Sequence, residues 1–280
     1  MSKKIEHSEL MALIRMLDEP DERLYSAIYD RVVACGSDII PLLEKEWETL
    51  SGDLEQERIL DIIHKLQLEQ RYQELAIWGS IGQTDLLEGY MIVTRFLYPD
   101  IDRGLIDEKI ADIRKDIGNE LNSGLTSLQK IATINHILYD IYHFRGNTKK
   151  EHYIQSQFLN HLLETKKGAP ISIGILYIIL AQSLGMPVYG VKLPDRFVLA
   201  YTNAETHSDK AFNSEVEFYY NPFHKGIIFT RNEIKEYIEK LNLELKEEYF
   251  RPVNNKSIIN RLIADLIIGY KYNSNNQKIE

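Results

Sequence analysis

Lys166-Lys167-Gly168-Ala169-Pro170-Ile171-Ser172-Ile173-Gly174-Ile175-Leu176-Tyr177-Ile178-Ile179-Leu180-Ala181-Gln182-Ser183-Leu184-Gly185 is a basic turn running into an almost wholly apolar segment. Pro170 suits a first helical turn, where its missing N–H costs nothing, and Gly185 suits the residue just past a helix end. A helix that is apolar all round has no face to offer water, so it must be central and surrounded. The run around Ile171 to Ala181 is too short to span a bilayer. It reads as a buried core helix.

Beyond Gly185 the pattern changes to period two. Val188-Tyr189-Gly190-Val191-Lys192-Leu193, Phe197 to Tyr201 and Val216 to Tyr220 read as strands bounded by turn residues. Thr230 with Glu233 forms a capping box that opens a helix through Ile234, Ile238 and Leu241. A last amphipathic helix spans Ser257 to Tyr270, with Asn273 to Glu280 expected to fray. Upstream of the central helix, Phe158 to Glu164 is a short helix and Phe144-Arg145-Gly146-Asn147 a turn. Thr126 with Gln129 caps a helix reaching Ile141, and Ile106, Ile110, Ile113 and Ile117 mark another between Ile101 and Leu121. Asp85 to Leu97 is helical, and so is Leu54 to Leu66. Helices, a buried helix, antiparallel strands and helices again make the fold class α+β.

At the N-terminus, helices through Leu10–Leu17 and Leu24–Val33 are broken by Asp18-Glu19-Pro20-Asp21. Gly36 and Asp38-Ile39-Ile40-Pro41-Leu42-Leu43 come next. This looks like one HEAT-type helical unit, which cannot build a solenoid alone and is expected to dock as a cap. The expected organisation is 1–75 as HEAT-like cap, 76–250 as core and 251–280 as C-terminal helix.

The 280 residues are 44% hydrophobic and 27% charged, enough for one large or two smaller globular units. A net charge of -9 opposes phosphate-neutralising nucleic-acid binding. The single cysteine, Cys35, excludes an intramolecular disulfide and a Cys-rich zinc site, and suits a reducing compartment. The opening Met1-Ser2-Lys3-Lys4-Ile5-Glu6 turns polar at once and shows no apolar signal segment. The expectation is a cytoplasmic protein with no membrane span.

The block from Asn160-His161-Leu162-Leu163-Glu164 through Ile173 resembles the SirB-type branch of the transglutaminase-like superfamily. The likeness continues in Leu184-Gly185-Met186-Pro187-Val188-Tyr189-Gly190-Val191, Leu193-Pro194-Asp195-Arg196-Phe197 and Tyr220-Asn221-Pro222-Phe223. The resemblance implies a papain-like core in which the buried helix packs on a small antiparallel sheet. Active members of the superfamily place a cysteine at the start of that helix, where the helix N-terminus favours the thiolate. A histidine and an Asp on the following strands complete the triad. The matching positions here hold Pro170, Arg196 and Asn221. Proline has no nucleophile, and arginine stays protonated and cannot act as a base. Relatives of this branch commonly share the proline but often keep the histidine. They also often continue into tetratricopeptide helices, of which this chain has only about one.

The reading is therefore a non-catalytic binding or scaffold module with a degenerate triad, no catalytic residue, no metal and no cofactor, and a protein or peptide partner. Cleft candidates are Asn160, Glu164, Lys166, Lys167, Ser172, Arg196 and Asn221. Asn160 and Glu164 stand one helical turn apart, to line the cleft or to anchor the Gly168 loop. Lys166, Lys167 and Arg196 are candidates for an anion-attracting patch at the helix start. The alternative is a hydrolase or amide-processing enzyme using Ser172, which would need a base within hydrogen-bond reach. Cys35 reads as a small core residue. The histidines lack paired metal-ligand spacing; His136, His143, His152, His161 and His224 are scattered along the chain.

Overall fold

A computed structural model describes residues 7–50, 52–81, 85–149, 153–203 and 214–277. His152 lies outside them. The chain divides into two compact units, residues 1–77 and 78–280.

In the first unit, α1 (His7–Arg15), α2 (Glu22–Val33), α3 (Ile40–Thr49) and α4 (Asp53–Ile81) succeed one another. Asp21 caps α2 by accepting from the N–H groups of Arg23 and Leu24, which explains why the Asp-Pro-Asp break is followed at once by helix. The core is the apolar stripe of these helices: Leu10, Ile14, Leu17, Ile28, Val32, Leu43, Ile59, Ile62 and Leu66. Arg58 is buried among them, where it donates to the carbonyls of Leu17 (2.7 Å) and Glu19 (2.8 Å) and stacks 3.7 Å from the Tyr25 ring. Helix α4 runs on to Ile81, well past the Leu66 expected from its apolar stripe. The residues after Leu66, rich in Glu, Gln, Arg and Leu, are good helix formers with no Gly or Pro to stop them before Gly79.

The second unit holds α5 (Leu86–Arg95), α6 (Arg103–Glu120) and α7 (Ser127–Asn135), then a π-helical turn over His136–Ile141. The predicted capping box of Thr126 and Gln129 is present. The helix expected to reach Ile141 widens at His136, and Tyr139 donates its hydroxyl to the Pro222 carbonyl at 2.7 Å. Two-residue strands β1 (Arg145–Gly146) and β2 (Lys167–Gly168) pair in parallel around α8 (Leu159–Thr165). Helix α9 (Pro170–Ser183) begins at the expected proline. Ile171, Ile173, Ile175, Leu176, Tyr177, Ile178 and Leu180 on it are all at most 2% exposed, so every side of the helix is covered. Each such side chain contributes about 1.5–3 kcal/mol of transfer free energy.

The sheet comprises β3 (Val188–Leu193), β4 (Arg196–Thr202), β5 (Val216–Asn221), β6 (Ile227–Phe229) and β7 (Pro252–Val253), in the antiparallel order β6-β5-β4-β3-β7. The three longer strands coincide with the period-two runs. β6 and β7 are too short to show a period and emerge only from their pairing. Helix α10 (Arg231–Lys240) opens with the predicted Thr230–Glu233 capping box. Helix α11 (Asn255–Gln277) packs against α5 and α9, and continues through residues 273–277, where fraying was expected.

Candidate functional site

Side chains along a strand alternate between the two faces of its sheet. On β4, Phe197 turns toward α9: a Cβ on Gly174 would stand 2.5 Å from its ring, so the absence of a side chain there lets helix and sheet meet. Val198 and Ala200 turn the other way, into a cluster with Val191, Leu193, Tyr219, Ile234, Ile238 and Phe250 beneath α10. Arg196, in phase with Val198, lies on the α10 side, with its guanidinium carbon 4.2 Å from the Tyr237 ring centroid. Asn221, in phase with Tyr219, lies on that side too.

A cleft of about 250 Å³ opens there, lined by Leu193, Arg196, Val198, Asn221, His224 and Ile227, with Phe229 at one end and Glu233, Ile234 and Tyr237 of α10 as its roof. The register explains its floor. Ile227 faces Asn221 directly, and because Leu199 faces Tyr220, Val198 falls opposite Asn221. Asn221 Oδ1 accepts from the Phe223 N–H at 3.0 Å and turns the chain after β5. Glu233 Oε2 accepts from the Thr230 N–H (2.7 Å) and hydroxyl (2.9 Å), bonds that hold its carboxyl below the usual range. Tyr237 donates its hydroxyl to the Pro194 carbonyl at 2.9 Å.

Of the three positions that the resemblance assigns to a triad, the fold brings Arg196 and Asn221 together. Pro170 stands at the first position of α9, the helix that packs on the Phe197 side of the sheet at Gly174. Its link to the cleft is indirect, through Gly174, which meets Phe197 and Pro222, the neighbours of the other two.

Ser172 is fully buried, and its hydroxyl donates to the carbonyls of Ser156 (2.8 Å) and Ala169 (3.0 Å). The charged side chain needed to activate it is replaced by backbone oxygen. Lys166 closes α8 in the left-handed conformation (φ 60°) and sets its ammonium 4.8 Å from the Phe144 ring centroid and 5.7 Å from that of Tyr142. Burial, and secondly Lys109, lower its pKa. Lys167 belongs to β2 and is exposed. Of the candidate patch of Lys166, Lys167 and Arg196, Lys166 lies near Phe144 and Tyr142 and Arg196 lies on Tyr237, so these two cations face different aromatic groups.

Asn160 and Glu164 do share a cleft, but a different one, of about 560 Å³, with Tyr98, Asp100, Asp102 and Lys109 at the α5–α6 turn. Asn160 Oδ1 is buried there, without a hydrogen-bond partner among the described residues. Cys35 packs half-buried against the core of the first unit, and burial raises its pKa. Tyr237, which completes the Arg196 cleft, was not singled out in the sequence. Its signal was the α10 capping box with Ile234, Tyr237 and Ile238 at helical spacing.

A buried apolar helix backed by an antiparallel sheet, with further helices before and after, defines the class of α+β core. Residues 105–264 match the family model of the transglutaminase-like superfamily, and the chain belongs to that superfamily. It is 27% identical over 130 residues to a UPF0162 protein of Xylella fastidiosa, covering 45% of this chain and 46% of that protein. It is 24% identical over 183 residues to a UPF0162 protein of Vibrio cholerae, covering 64% of each. It is 29% identical over 140 residues to F-box only protein 21 of Mus musculus, covering 50% of this chain and 21% of that protein. The chain thus spans about half the length of the Xylella relative and about a fifth of the mouse protein. No solved structure matches. Among the described residues, no helix is long and apolar enough to cross a membrane.

Proposed function

We propose that the chain is a non-catalytic module of the SirB-type transglutaminase-like branch, cytoplasmic, that binds a protein or peptide segment. In this reading Pro170, Arg196 and Asn221 occupy the places of nucleophile, base and orienting group. The observation that carries it is Ser172: the hydroxyl nearest the start of the central helix is fully buried and bonded to two carbonyl oxygens. A nucleophile needs access and a base. Pro170 supplies no nucleophile, and Arg196 is a permanent cation turned to the α10 face. The recurrence of the matched region within the much longer F-box only protein 21 supports a portable module. The first four helices are read as a HEAT-like cap that adds surface, and the region from residue 251 as a C-terminal helix.

The test has two arms. Purified protein is incubated with ester, amide and glutamine–amine peptide substrates, and turnover no greater than that of heat-denatured protein is expected. A peptide-display selection on wild type and Arg196→Ala is expected to enrich segments that the variant no longer holds. Turnover lost on Ser172→Ala would establish the hydrolase alternative instead, and identical selections from both proteins would move the function away from the Arg196 cleft.

A further inference from the structure

The Arg196 cleft is rich in hydrogen-bond donors. Its donors are the Arg196 guanidinium, the Asn221 amide nitrogen and the His224 ring. Among the described residues Arg196 has a stacking partner, Tyr237, and no ion pair. Asn221 uses its oxygen on the Phe223 N–H, which leaves the NH₂ as the group it offers. On the acceptor side, Asn221 Oδ1 takes one hydrogen bond and Glu233 Oε2 takes two from Thr230, while the second Glu233 oxygen remains an acceptor at the rim. The walls between these groups are aliphatic and aromatic: Leu193, Val198, Ile227, Ile234 and Tyr237. A pocket of donors set in apolar walls is complementary to a carboxylate carried on an aliphatic body, and a planar guanidinium held on an aromatic ring is suited to bind it in bidentate fashion.

The position in the sheet says how such a group arrives. β6 is the last strand in the order β6-β5-β4-β3-β7, so one side of its backbone has no strand partner. Ile227, which lines the cleft, is 64% exposed, and Ile228 is 44% exposed. An extended segment pairing with such an edge is a known mode of peptide recognition. A segment paired antiparallel to β6 would end beside Ile227, and its last residue would then have to cross over β6 to reach Asn221 on β5 and the Arg196 side chain from β4, the next two strands.

We infer that the Arg196 cleft recognises the free C-terminal carboxylate of a peptide whose last side chain is aliphatic, with Arg196 and Asn221 as the carboxylate ligands. This rests on the binding reading above and names the chemistry of its partner. Glu233 tunes it: among the described lining residues it is the one anionic side chain, and it opposes an incoming carboxylate, so its neutralisation tightens binding.

The probes are N-acetyl-leucine and N-acetyl-leucinamide, titrated into the full chain and followed by NMR at the Arg196 side-chain N–H and the Val198 and Leu193 methyl groups. The acid is expected to shift these signals at least roughly tenfold more tightly than the amide, the scale of a lost charge-assisted hydrogen bond. Arg196→Gln is expected to abolish the difference, Arg196→Lys to restore part of it, and Glu233→Gln to strengthen it. Equal response to acid and amide overturns the inference. So does tighter binding of N-acetyl-aspartic acid α-amide, which offers an acidic side chain but no terminal carboxylate. If either occurs while peptide display still enriches Arg196-dependent internal segments, the binding module stands and only its C-terminal specificity fails. If display enriches nothing while the acid still binds through Arg196, the carboxylate site stands and peptide binding fails.

Discussion

Replacing Ser172 by alanine separates a structural hydroxyl from a chemical one. Its Oγ–H is shared between the Ser156 and Ala169 carbonyls, so one hydrogen bond is lost. Neither carbonyl is orphaned: Ser156 O still accepts the Ala169 N–H at 3.0 Å, and Ala169 O still accepts the Ile173 N–H at 3.1 Å. The net loss is therefore the ordinary worth of one hydrogen bond, about 0.5–1.5 kcal/mol. Alanine returns up to about 0.5 kcal/mol through its better helix propensity at the third residue of α9. A net destabilisation between about 0 and 1.5 kcal/mol remains, equivalent to a fall of at most about 6 °C in Tm for a domain of this size. Urea unfolding followed by circular dichroism should show a lower midpoint with an unchanged slope. Peptide binding should be unaffected. A loss above about 3 kcal/mol would mean that the carbonyls depend on the hydroxyl. Labelling of Ser172 by a fluorophosphonate in the folded protein would refute the argument outright.

Gly174→Ala should lower the urea midpoint, because overpacking against Phe197 costs about 1–3 kcal/mol and outweighs the roughly 1 kcal/mol gained in helix propensity. Gly226→Ala should cost more, above about 2 kcal/mol: its φ of +73° is strained for alanine, and the new Cβ would stand 2.3 Å from Asn135 Nδ2. NMR titration should find Glu233 with a pKa below that of an ordinary glutamate. Since the folded-state value is the lower one, its stabilising contribution is complete above the unfolded-state pKa and disappears as pH falls through the folded value. The Cys35 thiol, raised by burial, should react more slowly with Ellman's reagent at mildly alkaline pH than a free cysteine, and the gap should close on unfolding in urea.

Much of the architecture was legible locally. Both capping boxes, the proline at the start of α9 and the three long strands depend on contacts within a few residues, where residue type and spacing suffice. The site was less legible. Arg196 and Asn221 stand out by their place in motifs, yet their meeting with Tyr237 and Ile227 depends on strand register and on where α10 lands. Asn160 and Glu164 were read either as lining that cleft or as anchoring the Gly168 loop; both line a different cleft, at the α5–α6 connection.

By itself, the amino-acid order determined an apolar helix that must be enclosed, an α+β layout and membership in the superfamily. Each arises from periodicity, caps and motif blocks that the chain carries along its length. Only the tertiary structure decided that Ser172 is sealed in the core, that the Lys166 ammonium sits near the Phe144 and Tyr142 rings, and that Arg196 turns to the α10 side of the sheet while Phe197 turns to α9. Those outcomes turn on which face a side chain takes and what packs against it. Partners distant in sequence set both, and no local pattern encodes them.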